Sequence, residues 1–123
     1  MKHLLFTLSL LALISCSKTP TNPPQNTLKS KHIKFEVLLS NGTWSGSYTD
    51  KDGTTQADHE SQYWMYSYVN SAGNPTAFIL VNPDQFDDVP GSPVVTTVSI
   101  YVDSIKVKTQ TFKSALTTLE YKL

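Results

Sequence analysis

Apolar side chains recur at every second position along much of the chain beyond residue 30, a spacing that gives a β-strand one buried face. Residues 31–39 are the clearest example, with these alternating apolar positions: Ile33, Phe35, Val37 and Leu39. Residues 54–60 are mostly polar, which is typical of an edge strand. Residues 63–69 are apolar or aromatic on both faces apart from Ser67, which predicts a central strand.

Further segments of the same kind are separated by clusters of Gly, Asn, Asp and Pro, which predict turns at 41–42, 50–53 and 70–75 and a loop at 82–93. Strands are also expected at 44–49, 76–81, 94–102, 105–111 and 115–121. About seven to eight short strands without a helix predict an all-β fold, a single immunoglobulin-like antiparallel β-sandwich. A small β-barrel is the alternative, because periodicity does not separate the two.

The first 15 residues have the layout of an export signal. Met-Lys-His is followed by an almost wholly apolar run from Leu4 to Ser15, which is too short to span a bilayer, for which about 20 residues are needed. The sequence Leu-Ile-Ser-Cys at 13–16 resembles the lipobox of bacterial lipoproteins, in which the cysteine thiol receives lipid before cleavage. Cys16 is the only cysteine of the chain, so it has no disulfide partner within the chain. We therefore expect a signal peptide at 1–15, lipid attachment (a palmitate-type acyl anchor) at Cys16 and no other cofactor.

Residues 16–30 are expected to form a flexible tether between the lipid and a β-domain at 31–123. The stretch from 17 to 30 has three prolines, no aromatic residue and one aliphatic residue, Leu28, too little apolar surface to order it. Beyond the signal, 9 lysines against 10 acids leave a net charge near −1, and the chain has no arginine. This balance argues against nucleic acid as a partner.

Several segments of the domain, taken in chain order, carry a family resemblance. They are Phe-Glu-Val at 35–37, Tyr-Thr-Asp at 48–50 with Gly-Thr-Thr-Gln at 53–56, Trp-Met-Tyr-Ser-Tyr at 64–68, Val-Ser-Ile-Tyr-Val-Asp at 98–103, and Tyr121. Over about 90 residues this arrangement resembles small Bacteroidetes-type lipoproteins, which are similar to the MmpS-like domain. The family usually has Gly after the aspartate of the last hairpin, where this chain has Ser104.

The resemblance implies an immunoglobulin-like fold, a cell-envelope location and an accessory or binding role beside envelope transport machinery. Some lipoproteins of this type carry acidic residues directly after the cysteine for surface display. This chain has Ser-Lys-Thr at 17–19, which favours an outer-membrane anchor with the domain facing the periplasm.

Catalytic and metal-binding patterns are weak. His59 lies between Asp58 and Glu60, but neighbouring strand residues point to opposite faces, so a polar edge-strand histidine is the simpler interpretation. Asp50, Asp52 and Gly53 fail the EF-hand template and predict a hairpin turn. Three nearby loop acids are weak calcium candidates, although solvated loop acids are the simpler interpretation: Asp84, Asp87 and Asp88. No enzymatic activity is expected.

Aromatic residues provide the remaining candidate site. Trp64, Tyr66 and Tyr68 share one strand face, with Trp44 and Tyr48 as a second row. Exposed rings on a sandwich face would stack on sugars, whereas a domain of this size needs aromatic side chains in its core. We expect most of them in the core, and a non-catalytic envelope lipoprotein that acts as an accessory or binding module beside envelope transport machinery, with an envelope protein or a glycan as its partner. A glycan-binding lipoprotein that uses Trp44, Trp64, Tyr66 and Tyr68 is the alternative.

Overall fold

The computed structural model describes residues 29–71, 73–87, 89–113 and 115–123. The proposed signal peptide, Cys16 and most of the tether lie outside these ranges, as does Asp88. The described residues form eight strands: β1 Lys31–Leu39, β2 Thr43–Asp50, β3 Gly53–Glu60, β4 Tyr63–Asn70, β5 Thr76–Asp84, β6 Val95–Val102, β7 Ile105–Lys113 and β8 Thr117–Lys122. They contain no helix that is long and apolar enough to span a bilayer.

The strands build two antiparallel sheets that face each other. Sheet A has the order β4-β1-β6-β7 and sheet B the order β3-β2-β5-β8. Only the β2–β3 and β6–β7 connections are hairpins within one sheet, and the other connections cross between the sheets. The prediction of an all-β sandwich is confirmed. The small-barrel alternative is wrong, because among the described strands each sheet ends in two edge strands and does not close on itself.

The core between the sheets is built from the alternating apolar positions. Ile33, Phe35 and Val37 of β1 are fully buried and face Ile79 and Val81 of β5, which are also fully buried. Burying a side chain of this size contributes about 1.5–3 kcal/mol, so these central strands supply much of the stability of the fold. The alternation predicted for residues 31–39 is therefore confirmed.

Two predictions are corrected, the central position of β4 and the start of the loop at 82–93. β3 is an edge strand as expected, but β4 is also an edge strand and not a central one. The predicted loop at 82–93 begins later than expected, because β5 continues to Asp84 and pairs there with Thr43. Pro83 is tolerated within β5 because the pairing with β8 has already ended at Val81, so that side of the strand needs no donor.

The β6–β7 turn has a left-handed backbone at both of its central residues. Asp103 has φ of 49° and Ser104 has φ of 69°, the combination of a type I′ turn. The Asp103 carboxylate accepts a hydrogen bond from the His32 backbone N–H at 2.9 Å. This contact ties the turn to β1, with Ser104 in the left-handed conformation that favours Gly.

Candidate functional site

The aromatic residues meet between the sheets at the end of the sandwich that carries β3 and β4. The Trp64 ring lies 4.9 Å from the Trp44 ring and 5.0 Å from the Tyr48 ring, and Tyr48 lies 4.8 Å from Tyr66. Trp44, Tyr48 and Tyr68 are buried, whereas Trp64 and Tyr66 are half-buried. Edge strand β3 contributes only small inward side chains such as Ala57, so the rings of β4 fill this end of the core.

This packing confirms the expectation that most of the aromatic residues lie in the core. The rows do not form an exposed stacking face, because Trp44 and Tyr68 are covered by the opposite sheet. Burial raises the pKa of the Tyr48 and Tyr68 hydroxyls. The Tyr68 hydroxyl lies 3.1 Å from Thr49 Oγ1, which bridges the two sheets.

A polar cluster lies on the outside of sheet B and joins three of its strands; we call Thr43, Ser45, His59 and Asp84 the Asp84 cluster. The hydroxyls of Thr43 and Ser45 both donate to the Asp84 carboxylate. His59 Nδ1 lies 3.2 Å from Asp84 Oδ2, and the His59 backbone N–H donates to Ser45 Oγ at 3.1 Å. The cluster therefore clamps β2, β3 and β5 together.

The Asp84 carboxylate is stabilised in its charged form. Partial burial acts to raise the pKa of Asp84, but hydrogen bonds from Ser45, Thr43 and His59 outweigh it and hold the pKa below its ordinary value. The Ser45 hydroxyl donates its proton to Asp84 and not to the imidazole. Activation of a serine nucleophile requires the opposite, with the imidazole accepting the hydroxyl proton, so this geometry is that of a structural clamp.

Of the sequence interpretations of these residues, the polar edge-strand histidine is confirmed for His59 in β3, and the solvated loop acid is wrong for Asp84. The β2–β3 pairing is irregular between Trp44 and Gly46, and His59 has φ of 49°, which is a β-bulge. The bulge brings Asp58 Oδ1 within 3.6 Å of His59 Nε2, although neighbours in a regular strand point to opposite faces. Asp84 belongs to β5 and is held by hydroxyls, so it is not a solvated loop acid.

The calcium candidates do not form a site among the described residues. These residues contain no cluster of three or more His, Cys, Asp or Glu side chains that could hold a metal ion. Asp87 is exposed, and Asp88 lies outside the described residues. At the β2–β3 hairpin, the Asp50 carboxylate accepts hydrogen bonds from Thr55 and from the Asp52 backbone N–H, and this turn is as predicted.

An exposed apolar patch lies on the outer face of sheet A; it consists of Leu38, Tyr63 and Met65. Their side chains are 51%, 55% and 53% exposed. Leu38 and Tyr63 are direct register partners, and Met65 is the next outward residue of β4. Away from the patch, the outer face of this sheet carries hydroxyl pairs, such as Ser99 with Thr109 at 2.9 Å. Leu38, Tyr63 and Met65 are therefore neighbours on the β4 side of this face.

Sequence reasoning did not single out this patch. The available signal was Leu38, which is apolar on the otherwise polar face of its strand, together with the apolar character of both faces of 63–69. The second feature was interpreted as a buried strand. A strand that is apolar on both faces is either a central strand or an edge strand whose outer face contacts another surface, and periodicity does not separate these two cases.

No known protein-family model matches the chain, and no curated protein is significantly similar to it in sequence.

Proposed function

We propose that this chain is a non-catalytic lipoprotein of the cell envelope, anchored by lipid on Cys16, whose sandwich binds protein through the β4 side of sheet A. The anchor lies in the outer membrane and the domain faces the periplasm. The exposed apolar patch of Leu38, Tyr63 and Met65 is the observation that carries the binding role. Contiguous apolar side chains at a protein surface mark interaction sites more often than single exposed ones do.

The Asp84 cluster lacks the arrangement that serine-based catalysis needs. In the Asp84 cluster, the Ser45 hydroxyl and the His59 imidazole both contact the Asp84 carboxylate. The imidazole therefore does not accept the proton of the Ser45 hydroxyl. Within the described residues the aromatic rows pack between the sheets, with Trp44 and Tyr68 buried, which counts against the glycan-binding alternative. Protein surface is the partner class that a small, uncharged patch beside a sheet edge fits.

The anchor is tested by metabolic labelling with a clickable palmitate, followed by membrane fractionation. The wild-type chain is expected to carry label and to sediment with membranes, whereas Cys16→Ala loses the label and leaves the membrane fraction. Ser17→Ala keeps the thiol and serves as the matched control. Label on Cys16→Ala, or its absence from the wild type, contradicts the proposed anchor.

The binding surface is tested by photocrosslinking in intact cells. A photoreactive amino acid replaces Met65 in the patch or, as a control, the exposed Gln56 of β3. Protein adducts are expected from position 65 and not from position 56. Absence of adducts at position 65, or the same adducts from both positions, contradicts a binding role for this surface.

A further inference from the structure

The backbone of β4 has hydrogen-bonding groups that point away from the sandwich. The Leu39 N–H donates to the Gln62 carbonyl at 2.8 Å, which sets the alternation of the antiparallel β1–β4 ladder. Trp64, Tyr66 and Tyr68, which pair with odd-numbered residues of β1, therefore direct their backbone groups toward β1. The four odd-numbered residues of β4 direct their backbone groups toward the free edge: Tyr63, Met65, Ser67 and Val69.

Both ends of this free edge are closed locally, and its centre is open. The Ser61 hydroxyl donates to the Tyr63 carbonyl at 2.7 Å, and the Ser71 N–H donates to the Val69 carbonyl at 3.0 Å. Met65 and Ser67 remain in the middle of the edge. Each of them presents an N–H and a C=O without a strand beside it in the described part of the chain.

We propose that the free edge of β4 pairs with β4 of a second copy of this chain, in antiparallel orientation, so that the two A sheets join. This assignment rests on the proposed function and names the partner of the same surface. A two-fold axis at Tyr66 places Met65 opposite Ser67 of the second copy, and the reverse. Among the antiparallel registers, this one pairs the two open residues at the centre, Met65 and Ser67, with each other across the axis.

Side-chain shape agrees with this register. Ser67 is small and exposed, and beside it lies a shallow depression of about 250 Å³ lined by His32, Lys34, Ser67 and Ser104. Met65 is a flexible side chain that is 53% exposed. In the paired arrangement, Met65 of each copy lies across from Ser67 of the other, so an unbranched apolar side chain meets the depression.

Charge also favours a second copy as the occupant. The β4 sequence Tyr-Trp-Met-Tyr-Ser-Tyr-Val-Asn contains no charged residue, so two identical strands approach without repulsion. The charged side chains nearest to this strand on the outer face, Lys34 and Glu36 of β1, lie 3.9 Å apart as an ion pair, so β4 itself offers a charged peptide no complementary group. Pairing of one strand edge buries less than the roughly 1,200 Å² of a standard stable interface, so the contact is weak and reversible.

The length of chain before the domain permits this geometry on one membrane. In an antiparallel pair the two β1 strands begin at opposite ends of the joined sheet. The 15 residues from Cys16 to Ser30 reach at most about 50 Å when fully extended. Each copy therefore reaches a common lipid surface with its strands lying along that surface.

Disulfide capture between two differently tagged chains tests the register. One chain carries Met65→Cys and the other Ser67→Cys, and envelope membranes containing both are oxidised. A disulfide between the two tags is expected, because opposed residues in a ladder lie about 5.5 Å apart at Cα, within disulfide range. The parent chain, which has only Cys16, reports any link through that residue. Thr109→Cys with Thr111→Cys on edge strand β7 is the matched control pair.

The outcomes separate self-pairing from the proposed function. Linked β4 positions together with unlinked β7 positions support self-pairing, and Tyr63→Lys in both chains should then lower the yield about tenfold, because a charge on an edge strand opposes pairing. Equal linking of both pairs, or linking of neither, overturns it. Photocrosslinks from position 65 to other proteins without a β4 disulfide keep the proposed function and overturn self-pairing alone.

Discussion

Strands β4 and β7 are the two edges of the same sheet, and they differ in two features that govern edge-to-edge association, their charge and the regularity of their pairing. β7 carries Lys106, Lys108 and Lys113, and its pairing with β6 shifts register between Ile100 and Tyr101. β4 has no charge and no proline, and its register with β1 is continuous. Charges and bulges are the devices with which proteins keep edge strands from pairing, so β7 is protected and β4 is open.

The two edge strands of sheet B, β3 and β8, are protected against pairing in the same way as β7. β3 has a bulge, and its last three residues all carry titratable side chains: Asp58, His59 and Glu60. β8 has only six residues and carries Glu120 and Lys122. Among the described strands, β4 is therefore the edge that lacks protection. Within the described residues, this domain therefore protects three sheet edges and leaves one open beside its apolar patch.

The largest expected effect separates the two sides of the β4 backbone. Tyr66→Pro removes an N–H that faces β1 and a ring of the aromatic cluster, so we expect a loss of about 4 kcal/mol in the free energy of unfolding. Met65→Pro removes only an outward N–H and should cost at least about 2 kcal/mol less. Urea denaturation measures both, and Tyr66→Ala isolates the loss of the ring. Equal losses for the two prolines would mean that the assignment of inward and outward backbone groups is wrong.

The next effect compares the two faces of β4. Trp64→Ala leaves a cavity beside Trp44 and Tyr48 and should lower the free energy of unfolding by about 3 kcal/mol. Tyr63→Ala removes a ring of similar kind that is 55% exposed, and its effect should stay within about 0.5 kcal/mol. Thermal or urea unfolding of the pair decides this. A large loss for Tyr63→Ala would place Tyr63 in the core and remove it from the apolar patch.

A smaller effect concerns the Asp84 cluster, which holds the bulge of β3. In sheet B, β3 is the protected edge strand that corresponds to β4 in sheet A. Asp84→Asn weakens hydrogen bonds to an ionised group and should cost about 1–2 kcal/mol at neutral pH. Because the fold lowers the pKa of Asp84 from 3.8, its contribution is present above that pH and is lost as the pH falls through the lower, folded-state value.

The stabilities of the wild type and Asp84→Asn should therefore converge below about pH 4. Urea midpoints measured across this pH range test the convergence, with the exposed Asp87→Asn as the control that should match the wild type throughout. A constant difference between wild type and Asp84→Asn at every pH would contradict the proposed role of the charged carboxylate.

The smallest effect on stability comes from exchanging the charge of the two edge strands of sheet A, β4 and β7. Met65→Lys adds a charge to β4, and Lys106→Ser with Lys113→Ser removes charges from β7, each changing the free energy of unfolding by about 0.5 kcal/mol or less. Sedimentation velocity should show less association for the first variant and more for the second. Association that is unchanged in both would mean that edge charge does not govern contacts between copies.

The residue pattern was sufficient to predict the faces of the strands. A period of two assigns each side chain to one face, so the buried positions of β1 and the hairpin at Asp50–Gly53 followed from local chemistry. The pattern also placed β3 at an edge, since its side chains are too polar for a buried strand. The expectation that most aromatic residues pack in the core followed from the size of the domain.

The order of strands within each sheet was decided only in the tertiary structure. Pairing joins segments far apart in the chain, and an apolar strand satisfies its pattern either in the middle of a sheet or at an open edge. β4 lies at an edge with its inward rings packed against Trp44 and Tyr48 of β2, which leaves Tyr63 and Met65 on the outside. The clamp on Asp84 likewise depends on a bulge that brings together residues 25 and 39 positions away from it. Local periodicity carries no information about such long-range pairings, and for that reason the open edge and the Asp84 cluster were visible only in the folded sandwich.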